Sequence, residues 1–374
     1  IEKAGANVSD YYALLFFVLC GVSILSSFNG LLMLFLGIEI LSIPLYILTG
    51  SDKRNLKSNE ASLKYFLMGA FSTGIMLMGI ALIYGATGIF SLGGHAMAPS
   101  SGLIRPSFLE VAGLILLFVS MCFKVSAAPF HFWTPDVYDG APAVFTSFMA
   151  TIVKAAGFIA FVRLFDMHTQ ILGPTWHLLL AFVIVATLLI GNITAVFQQS
   201  VKRMLAYSSI AHAGFMLFAL YSINDLAKEW LLLYSVAYSL ATIGIFAVLI
   251  KMNDYTFDGF NGLAKTQPAL ALATTVCLLS LAGIPLTAGF FAKYYMLASM
   301  VKAGGPIWLV ILAMLFAAVS VYYYFRVIQA MYFKEGDAET APVTSVFKTV
   351  LLLLAALIIL FGIFPSIVLN WFYF

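Results

Sequence analysis

The sequence contains very little charge. Of its 374 residues only 9% are Asp, Glu, Lys or Arg and 63% are hydrophobic, with a mean hydropathy of +1.03. Soluble domains carry roughly a quarter of their residues as charged side chains. A chain this poor in charge cannot cover itself with a water-soluble surface, so we expect lipid to be its solvent.

Several motifs that would indicate other functions are missing. Cys20, Cys122 and Cys277 lie in apolar runs without a CxxC pair, so neither a disulfide framework nor an iron–sulfur site is predicted. The chain has no GxGxxG sequence and no Walker lysine, which argues against nucleotide binding. We therefore expect no cofactor, no metal and no nucleic acid bound to this chain. The sequence starts at Ile1 without a signal peptide, so we expect the natural N-terminus to be missing.

Long apolar runs are present throughout the chain. They have the length that a helix needs to cross a bilayer, about 17 to 25 residues. They lack strict alternation of polar and apolar residues, which favours helices over a membrane barrel. The sequence predicts an all-α polytopic membrane protein of about eleven transmembrane helices. These are predicted at 11–28, 30–49, 60–87, 108–125, 142–165, 176–198, 204–222, 229–251, 267–301, 306–333 and 347–366.

Two of the predicted helices are broken. The short stretch 126–138 after the fourth helix contains Pro129 and Pro135, which predicts a half-helix or re-entrant piece. The ninth segment, 267–301, is too long for one span and contains Gly283, Pro285 and Gly289. Broken helices in corresponding places indicate inverted repeats, an architecture of transporters.

The positions of the breaks predict two repeated units and an additional helix. The first five-helix unit is predicted at 1–166, with its broken helix near 108–138. The second unit is predicted at 167–334, with its broken helix near 267–301, and 335–374 holds the C-terminal helix. Five is odd, so the second unit is expected to be inverted relative to the first.

Lysine and arginine are concentrated on one predicted side of the membrane. The loops 50–59, 199–203, 252–266 and 334–346 fall on that side and carry most of the positive charge. Positive charge marks the cytoplasmic face. We therefore predict a multi-pass protein of the bacterial inner membrane, with Ile1 in the cytoplasm and Phe374 outside.

A few ionisable side chains lie inside the predicted spans. A charge at mid-bilayer costs about 3 kcal/mol on insertion scales, so such residues are usually paired and functional. Lysine suits proton transfer because burial and nearby charges decide whether it holds or releases its proton. His212, about two turns into the seventh helix, is a further candidate for relaying protons. The candidates within the spans are Glu39, Lys64, Lys124, Lys154 and Lys293.

A purely structural interpretation remains open for each candidate. Lys64 lies near the cytoplasmic end of its helix and could extend its ammonium to the interface. The other lysines and Glu39 could form ion pairs that only fix helix packing. A single histidine often satisfies a hydrogen bond between helices.

Five stretches of sequence resemble a known family. FKVSAAPFHFWTPDVYDGAP (123–142), VKRMLAYSSIAHAGF (201–215) and LSLAGIPLTAGFFAKYY (279–295) closely resemble the antiporter-like membrane subunits of respiratory complex I, an NADH–quinone oxidoreductase. IEILSIPLYIL (38–48) and EASLKYFLMGAFSTG (60–74) look most like the N type of these subunits. The resemblance extends along essentially the whole chain.

This resemblance implies a proton-translocating subunit with no redox chemistry of its own. The family has three helices before its two five-helix units, so this chain is expected to begin at the fourth helix. By resemblance, Glu39 and Lys124 form the charge pair of the first half-channel, with Lys64 beside them. Lys154 is then the central lysine and Lys293 the terminal one. NADH, FMN, iron–sulfur clusters and quinone are expected in partner subunits, with subunits M and K on the flanks and lipid around the chain.

Two alternatives remain. The chain could be an independent antiporter that exchanges Na⁺ or K⁺ for protons, although nothing in the sequence looks like a cage of several carboxylates. It could also be a structural scaffold subunit whose buried charges fix helix packing.

Overall fold

The structure is a computed structural model that describes residues 8–93, 107–166 and 168–370. Helices joined by short loops account for these ranges, and no β-strand occurs among the residues described. The predicted all-α class is therefore confirmed. Ile1 and Phe374, for which a side of the membrane was predicted, lie outside the described residues.

Ten helical stretches in the described ranges are long and apolar enough to span a membrane. An eleventh segment is split into two shorter helices, in agreement with the predicted number of about eleven. The helices are α1 (Val8–Ser27), α2 (Leu31–Thr49), α3 (Leu56–Thr87), α4 (Phe108–Val125), α5 (Trp133–Gly140), α6 (Ala143–Phe148), α7 (Lys154–Asp166), α8 (Thr169–Leu172), α9 (Pro174–Val196), α10 (Val201–Ser222), α11 (Asp225–Lys251), α12 (Leu263–Thr266), α13 (Pro268–Ala282), α14 (Ala288–Lys302), α15 (Ile307–Phe333), α16 (Ser345–Ile363) and α17 (Ser366–Leu369). A 3₁₀ turn covers Asp258–Phe260.

Polar N-cap residues fix the start of several long helices. Their side-chain oxygens accept hydrogen bonds from backbone N–H groups that would otherwise have no partner. These caps are Asn55 on α3, Ser107 on α4, Ser200 on α10, Asn224 on α11 and Thr344 on α16. Because Ser200 caps α10, the helix starts before the predicted residue 204. Lys202, predicted in the loop 199–203, belongs to its first turn and is only 3% exposed.

The chain forms two compact units. The first contains the described residues of 1–145 together with Ile152–Phe182, and the second contains Thr146–Thr151 together with the described residues of 183–374. The predicted boundary near 166 and the predicted inversion of the second unit stay predictions.

Within the first unit, α3 packs along α4 and α1 packs along α2. The α3–α4 contact is close and polar at one level, where the Ser120 hydroxyl donates to the Ser72 carbonyl at 2.9 Å. Arg163 in the last turn of α7 donates to the carbonyl of Phe28 at 2.6 Å and lies 3.4 Å from that of Ser27. These are carbonyls at the end of α1, so the guanidinium caps that helix.

Within the second unit, α11 packs against α13, α14 and α16, and α10 packs against α14. Arg326 on α15 donates to the carbonyl of Val196 at 2.7 Å and to that of Gln198 at 3.4 Å. Its guanidinium also lies over the ring of Phe257 at 4.1 Å. The end of α9 is therefore capped by an arginine, as the end of α1 is in the first unit.

The structure contains both predicted helix breaks. The first follows α4, where Ser126 has φ +65° and the indole of Trp133 donates to the Phe123 carbonyl at 2.9 Å. The second follows α13, where Gly283 has φ +84° and the chain runs without helix until Ala288. A third irregularity was not predicted. A five-residue π-helical turn, Met149–Val153, lies inside the apolar span Ala143–Asp166.

Candidate functional site

Three of the four candidate lysines lie at helix irregularities, whereas Lys64 lies inside the continuous helix α3. Lys124 is in the last turn of α4, directly before the first break. Lys154 is the first residue after the π-helical turn, and Lys293 lies in α14 after the second break. Lys154 and Lys293 are 3% and 7% exposed. Interrupted helices leave backbone groups that polar side chains and water can satisfy, so buried cations are tolerated there.

Lys124 contacts a hydroxyl on the neighbouring helix α2. Its ammonium donates to Ser42 Oγ, and this hydroxyl in turn donates to the carbonyl of Ile38. Glu39 is on the same part of α2 and lies within electrostatic range of Lys124. Among the described residues, no hydrogen bond or ion pair within 4 Å joins Glu39 to Lys124 directly. The structure therefore places Ser42 as the direct partner, and the predicted Glu39–Lys124 charge pair stays a prediction.

Lys64 forms ion pairs with two carboxylates. Its ammonium lies 2.7 Å from Glu60 one turn earlier in α3 and 2.8 Å from Asp136 in α5. Lys64 and Asp136 are each about a third exposed. Lys64 does not simply extend into the interface, because it joins α3 to the half-helix after the first break.

Asp136 is a candidate residue that the sequence analysis missed. It lies in the first turn of α5, where the helix dipole favours a negative charge. The available signal was a carboxylate inside the proline-interrupted stretch after Lys124. The prolines of that stretch predict only a break in the helix, and nothing in its local sequence marks the acidic residue as a partner of a lysine.

Lys293 is bound to the helix break itself. Its ammonium donates to the carbonyl of Ala282 at 2.8 Å and lies 5.0 Å above the ring of Phe215. Ala282 is the last residue of α13, so its carbonyl has no partner further along a helix. The break therefore supplies the acceptor for this buried cation.

His212 lies at the middle of α10 and is 5% exposed. Its Nδ1 is hydrogen-bonded to the hydroxyl of Tyr234 at 2.7 Å, and its Nε2 lies 3.3 Å from the hydroxyl of Tyr324. Tyr324 is in turn hydrogen-bonded to Ser208. His212 also lines a small cavity beside α13 and α14. Through its contacts with Tyr234 and Tyr324, His212 joins α10 to both α11 and α15.

The candidates fall into both compact units. Glu39, Lys64, Lys124 and Lys154 belong to the first, and His212 and Lys293 belong to the second. In the first unit, Lys124 contacts the part of α2 that also contains Glu39. In the second unit, His212 lines a small cavity together with residues of α13 and α14, and α14 carries Lys293. The proton-transfer role of each residue stays a prediction.

Together, the apolar helices, the interrupted spans and the buried lysines define a multi-pass helical membrane protein of transporter-like architecture. The family described as NADH:quinone oxidoreductase/Mrp antiporter, TM, matches residues 29–320. The chain belongs to this family.

The relatives of the chain agree on a more specific type. The NADH-quinone oxidoreductase subunit N of Cytophaga hutchinsonii is 45% identical over 371 residues, which cover 97% of this chain and 79% of the relative. The subunit N of Trichlorobacter lovleyi is 42% identical over 382 residues, covering 99% of this chain and 77% of the relative. These findings confirm the resemblance to the N type of antiporter-like subunits.

Solved structures give the same result for the fold. A chain of respiratory complex I from Thermus thermophilus superposes with a TM-score of 0.85 at 38% identity, covering 96% of this chain and 79% of that one. A chain of the Mrp complex from Dietzia sp. superposes with a TM-score of 0.84 over 95% of this chain and 75% of that one. At 18% identity this second likeness shows the fold alone.

Proposed function

We propose that this chain is a proton-translocating subunit in the membrane arm of an NADH–quinone oxidoreductase. The observation that carries the proposal is the placement of Lys124, Lys154 and Lys293 at three helix irregularities inside apolar spans. A lysine held in such a place can gain and lose a proton without leaving the low-dielectric interior. The names of the relatives supply the enzyme to which this transport would be coupled.

In this proposal the chain moves protons but performs no redox chemistry. NADH, FMN, the iron–sulfur clusters and the quinone belong to partner subunits, among which we expect subunits M and K on its flanks. Electron transfer in those partners alters charge along the membrane arm. The alteration reaches this chain as a change in the electrostatic balance around its buried ionisable groups.

The first unit offers a specific element for this coupling. Lys124 is held by the neutral hydroxyl of Ser42, while the Glu39 carboxylate acts on it from electrostatic range. A shift of negative charge toward Lys124 favours its protonated form, and a shift away favours release. The ion pair of Lys64 with Asp136 lies on a neighbouring helix pair and supplies a second charge whose pairing can change.

The proposal also includes a direction of transport. Protons enter from the cytoplasm, use Lys124, Lys154 and Lys293 with intervening water, and leave on the other side of a bacterial inner membrane. The basic loops, which include Lys53 and Lys334, then face the cytoplasm.

The decisive experiment measures proton uptake per NADH oxidised in membrane vesicles that contain the assembled complex. We compare Lys154→Ala with Lys53→Ala, a lysine in an exposed loop of the same unit. Assembly is checked on native gels. We expect a strongly reduced proton yield or stalled turnover for Lys154→Ala and an unchanged yield for Lys53→Ala.

Other outcomes would favour the alternatives. A normal yield in an assembled Lys154→Ala complex removes this lysine from the proton route. Loss of assembly favours the structural scaffold. Sodium-dependent proton exchange by the isolated chain in liposomes favours an independent cation/proton antiporter.

A further inference from the structure

A buried hydroxyl group near Lys124 has no hydrogen-bond partner. Tyr46 on α2 is 7% exposed, and its phenol oxygen makes no hydrogen bond among the residues that the structure describes. Nearly all buried polar groups in proteins are hydrogen-bonded, because an unpaired group has given up water without a replacement. The exception at Tyr46 therefore needs an explanation, and the groups around it supply one.

The phenol of Tyr46 lies beside the group that binds Lys124. Tyr46 is one helical turn after Ser42, so the two side chains share a face of α2. The phenol oxygen lies beside the Ser42 hydroxyl and within electrostatic range of Glu39. Ser42 is the direct partner of the Lys124 ammonium. Tyr46 is also one turn nearer than Ser42 to the basic loop 50–59, the side from which protons enter in the proposed function.

Helix α3 holds the phenol ring of Tyr46 in place. The ring packs edge to face on Tyr65, with 4.8 Å between the ring centroids, and on Phe66 at 5.8 Å. The Ser62 hydroxyl donates a hydrogen bond of 2.7 Å to the backbone carbonyl of Tyr46. A Cβ at Gly69 would overlap the phenol oxygen, so the glycine leaves the space that this oxygen occupies. The oxygen is therefore confined to its place beside Ser42.

Ser42 has two neighbouring donors and binds one of them. Its hydroxyl accepts from the Lys124 ammonium and donates to the carbonyl of Ile38. Lysine has a flexible side chain of four methylene groups, whereas the phenol of Tyr46 is fixed, so the lysine is the partner that can leave. When the ammonium leaves, Ser42 loses a donor and the phenol beside it can donate instead. The unpaired phenol thus destabilises the arrangement in which Lys124 is bound to Ser42.

We propose that Tyr46 is a positioning residue for Lys124, whose hydroxyl replaces the ammonium on Ser42 when the lysine moves away. One hydrogen bond forms as another breaks, and the exchange itself transfers no proton or electron. Its effect is to prevent Ser42 from binding Lys124 so tightly that the lysine no longer takes part in transport. The inference rests on the proposed function and adds a residue to it.

The first test is Tyr46→Phe, which removes the hydroxyl and keeps the ring. In this variant the lysine-bound arrangement no longer contains an unpaired hydroxyl, and the alternative arrangement loses its new hydrogen bond, so Lys124 stays on Ser42. Proton uptake driven by NADH is measured in vesicles at equal amounts of assembled complex. We expect a loss of about fivefold or more, the factor to which a buried unpaired hydroxyl corresponds. The control is Tyr84→Phe, a tyrosine of α3 that is 44% exposed, and it should show normal uptake.

Thermal stability separates this role from packing. Because Tyr46→Phe removes an unpaired polar group, the thermal midpoint of the assembled complex should stay the same or rise while uptake falls. A hydroxyl that is needed for the structure gives the opposite result, in which the midpoint falls together with uptake. That result, failure of the variant to assemble, or normal uptake in the assembled Tyr46→Phe complex would each overturn the proposal.

Ser42 allows a second test, because the exchange requires both hydroxyl groups. Tyr46→Phe should lower uptake in the natural sequence but cause no further loss when it is added to Ser42→Ala. If the fold-losses of the two single variants multiply in the double variant, Tyr46 acts independently of Ser42 and the exchange is wrong.

The possible results distinguish this inference from the proposed function. If Lys124→Ala and Lys154→Ala lower uptake but Tyr46→Phe matches Tyr84→Phe, the exchange is wrong and the proposed function stands. If the lysine variants also take up protons normally, the proposed function fails as well.

Discussion

The ammonium group of Lys293 donates a hydrogen bond of 2.8 Å to the carbonyl oxygen of Ala282, the last residue of α13. The acceptor exists because Gly283, at φ +84°, ends the helix. A buried cation and an interrupted helix therefore stabilise each other: the lysine satisfies a backbone group, and the break offers an oxygen to a charge in an apolar span.

This relationship predicts the effect of replacing the lysine. Lys293→Met keeps much of the side-chain volume and removes the charge, so we expect assembled complexes with a strongly lowered proton yield per NADH. Lys302→Met at the exposed end of the same helix is the control. Proton uptake in vesicles checks the prediction. An equal yield in the two variants would show that Lys293 only fills space at the break.

A second prediction concerns the backbone that places Lys293. A Cβ at Gly283 would lie 2.9 Å from Cδ of Lys293, whereas a Cβ at Gly304 would meet nothing within 4 Å. Both glycines have positive φ, +84° and +70°, so alanine costs roughly 1–2 kcal/mol of backbone strain at either position. Because the lysine side chain can move, Gly283→Ala should displace it and lower proton uptake several-fold.

Gly304→Ala is the matched control for this experiment. It introduces the same backbone strain without touching Lys293, so we expect similar thermal stability for the two variants but normal uptake for Gly304→Ala. If both variants lower uptake equally, strain alone accounts for the effect and the position of Lys293 is not sensitive to Gly283.

The fold could be predicted from sequence because its main signals are local. Apolar runs set the spans, and Pro129, Gly283 and Pro285 mark the breaks within a few residues of where the structure has them. The π-helical turn before Lys154 has no such signal. Its sequence, MATIV, is compatible with an ordinary helix, and only the structure shows the widened turn.

The candidate site could be predicted less completely, since partners depend on tertiary contacts. The lysines were visible as charges in apolar runs, which is a property of the sequence alone. Ser42 is a partner of Lys124 because the fold brings α2 to α4, and Asp136 is a partner of Lys64 because it brings α5 to α3. Serine and aspartate are unremarkable at those positions until the helices pack. The charge pair of Glu39 with Lys124 stays a prediction, while the direct hydrogen-bond acceptor of Lys124 is the hydroxyl of Ser42.

The ion pair of Lys64 and Asp136 gives a third prediction. If the two residues act as a pair, Asp136→Asn and Lys64→Ala should lower proton uptake to a similar extent, and the double variant should be no worse than either. Both groups are about a third exposed, so solvent screens their interaction. We expect effects of about twofold to fivefold, corresponding to ~0.5–1 kcal/mol, which weaken in high salt.

The double variant tests whether the two residues act as a pair. If the fold-losses in uptake of the two single variants multiply when Lys64→Ala and Asp136→Asn are combined, the residues act independently. Glu60→Gln is the control for the second ion pair of Lys64, because Glu60 is the more exposed carboxylate at 62%. We expect its effect to be the smaller of the two.

The two arginine caps occupy corresponding places in the predicted repeat. Arg163 is on the last helix of the first predicted five-helix unit and reaches the end of its first helix. Arg326 is on the last helix of the second predicted unit and likewise reaches the end of its first helix. The repeat itself stays a prediction.

The caps lead to the last prediction, which concerns stability. Arg163→Gln and Arg326→Gln leave helix-end carbonyls without their cationic donor, and hydrogen bonds to charged groups contribute about 1.5–3 kcal/mol. We therefore expect both variants to lower the thermal midpoint of the purified complex by comparable amounts, while Lys334→Gln, whose long contact of 3.8 Å to Asp258 is exposed, leaves it unchanged. Circular dichroism and native gels after heating measure the change. An unaltered midpoint in both arginine variants would show that other groups, such as water, satisfy these carbonyls equally well.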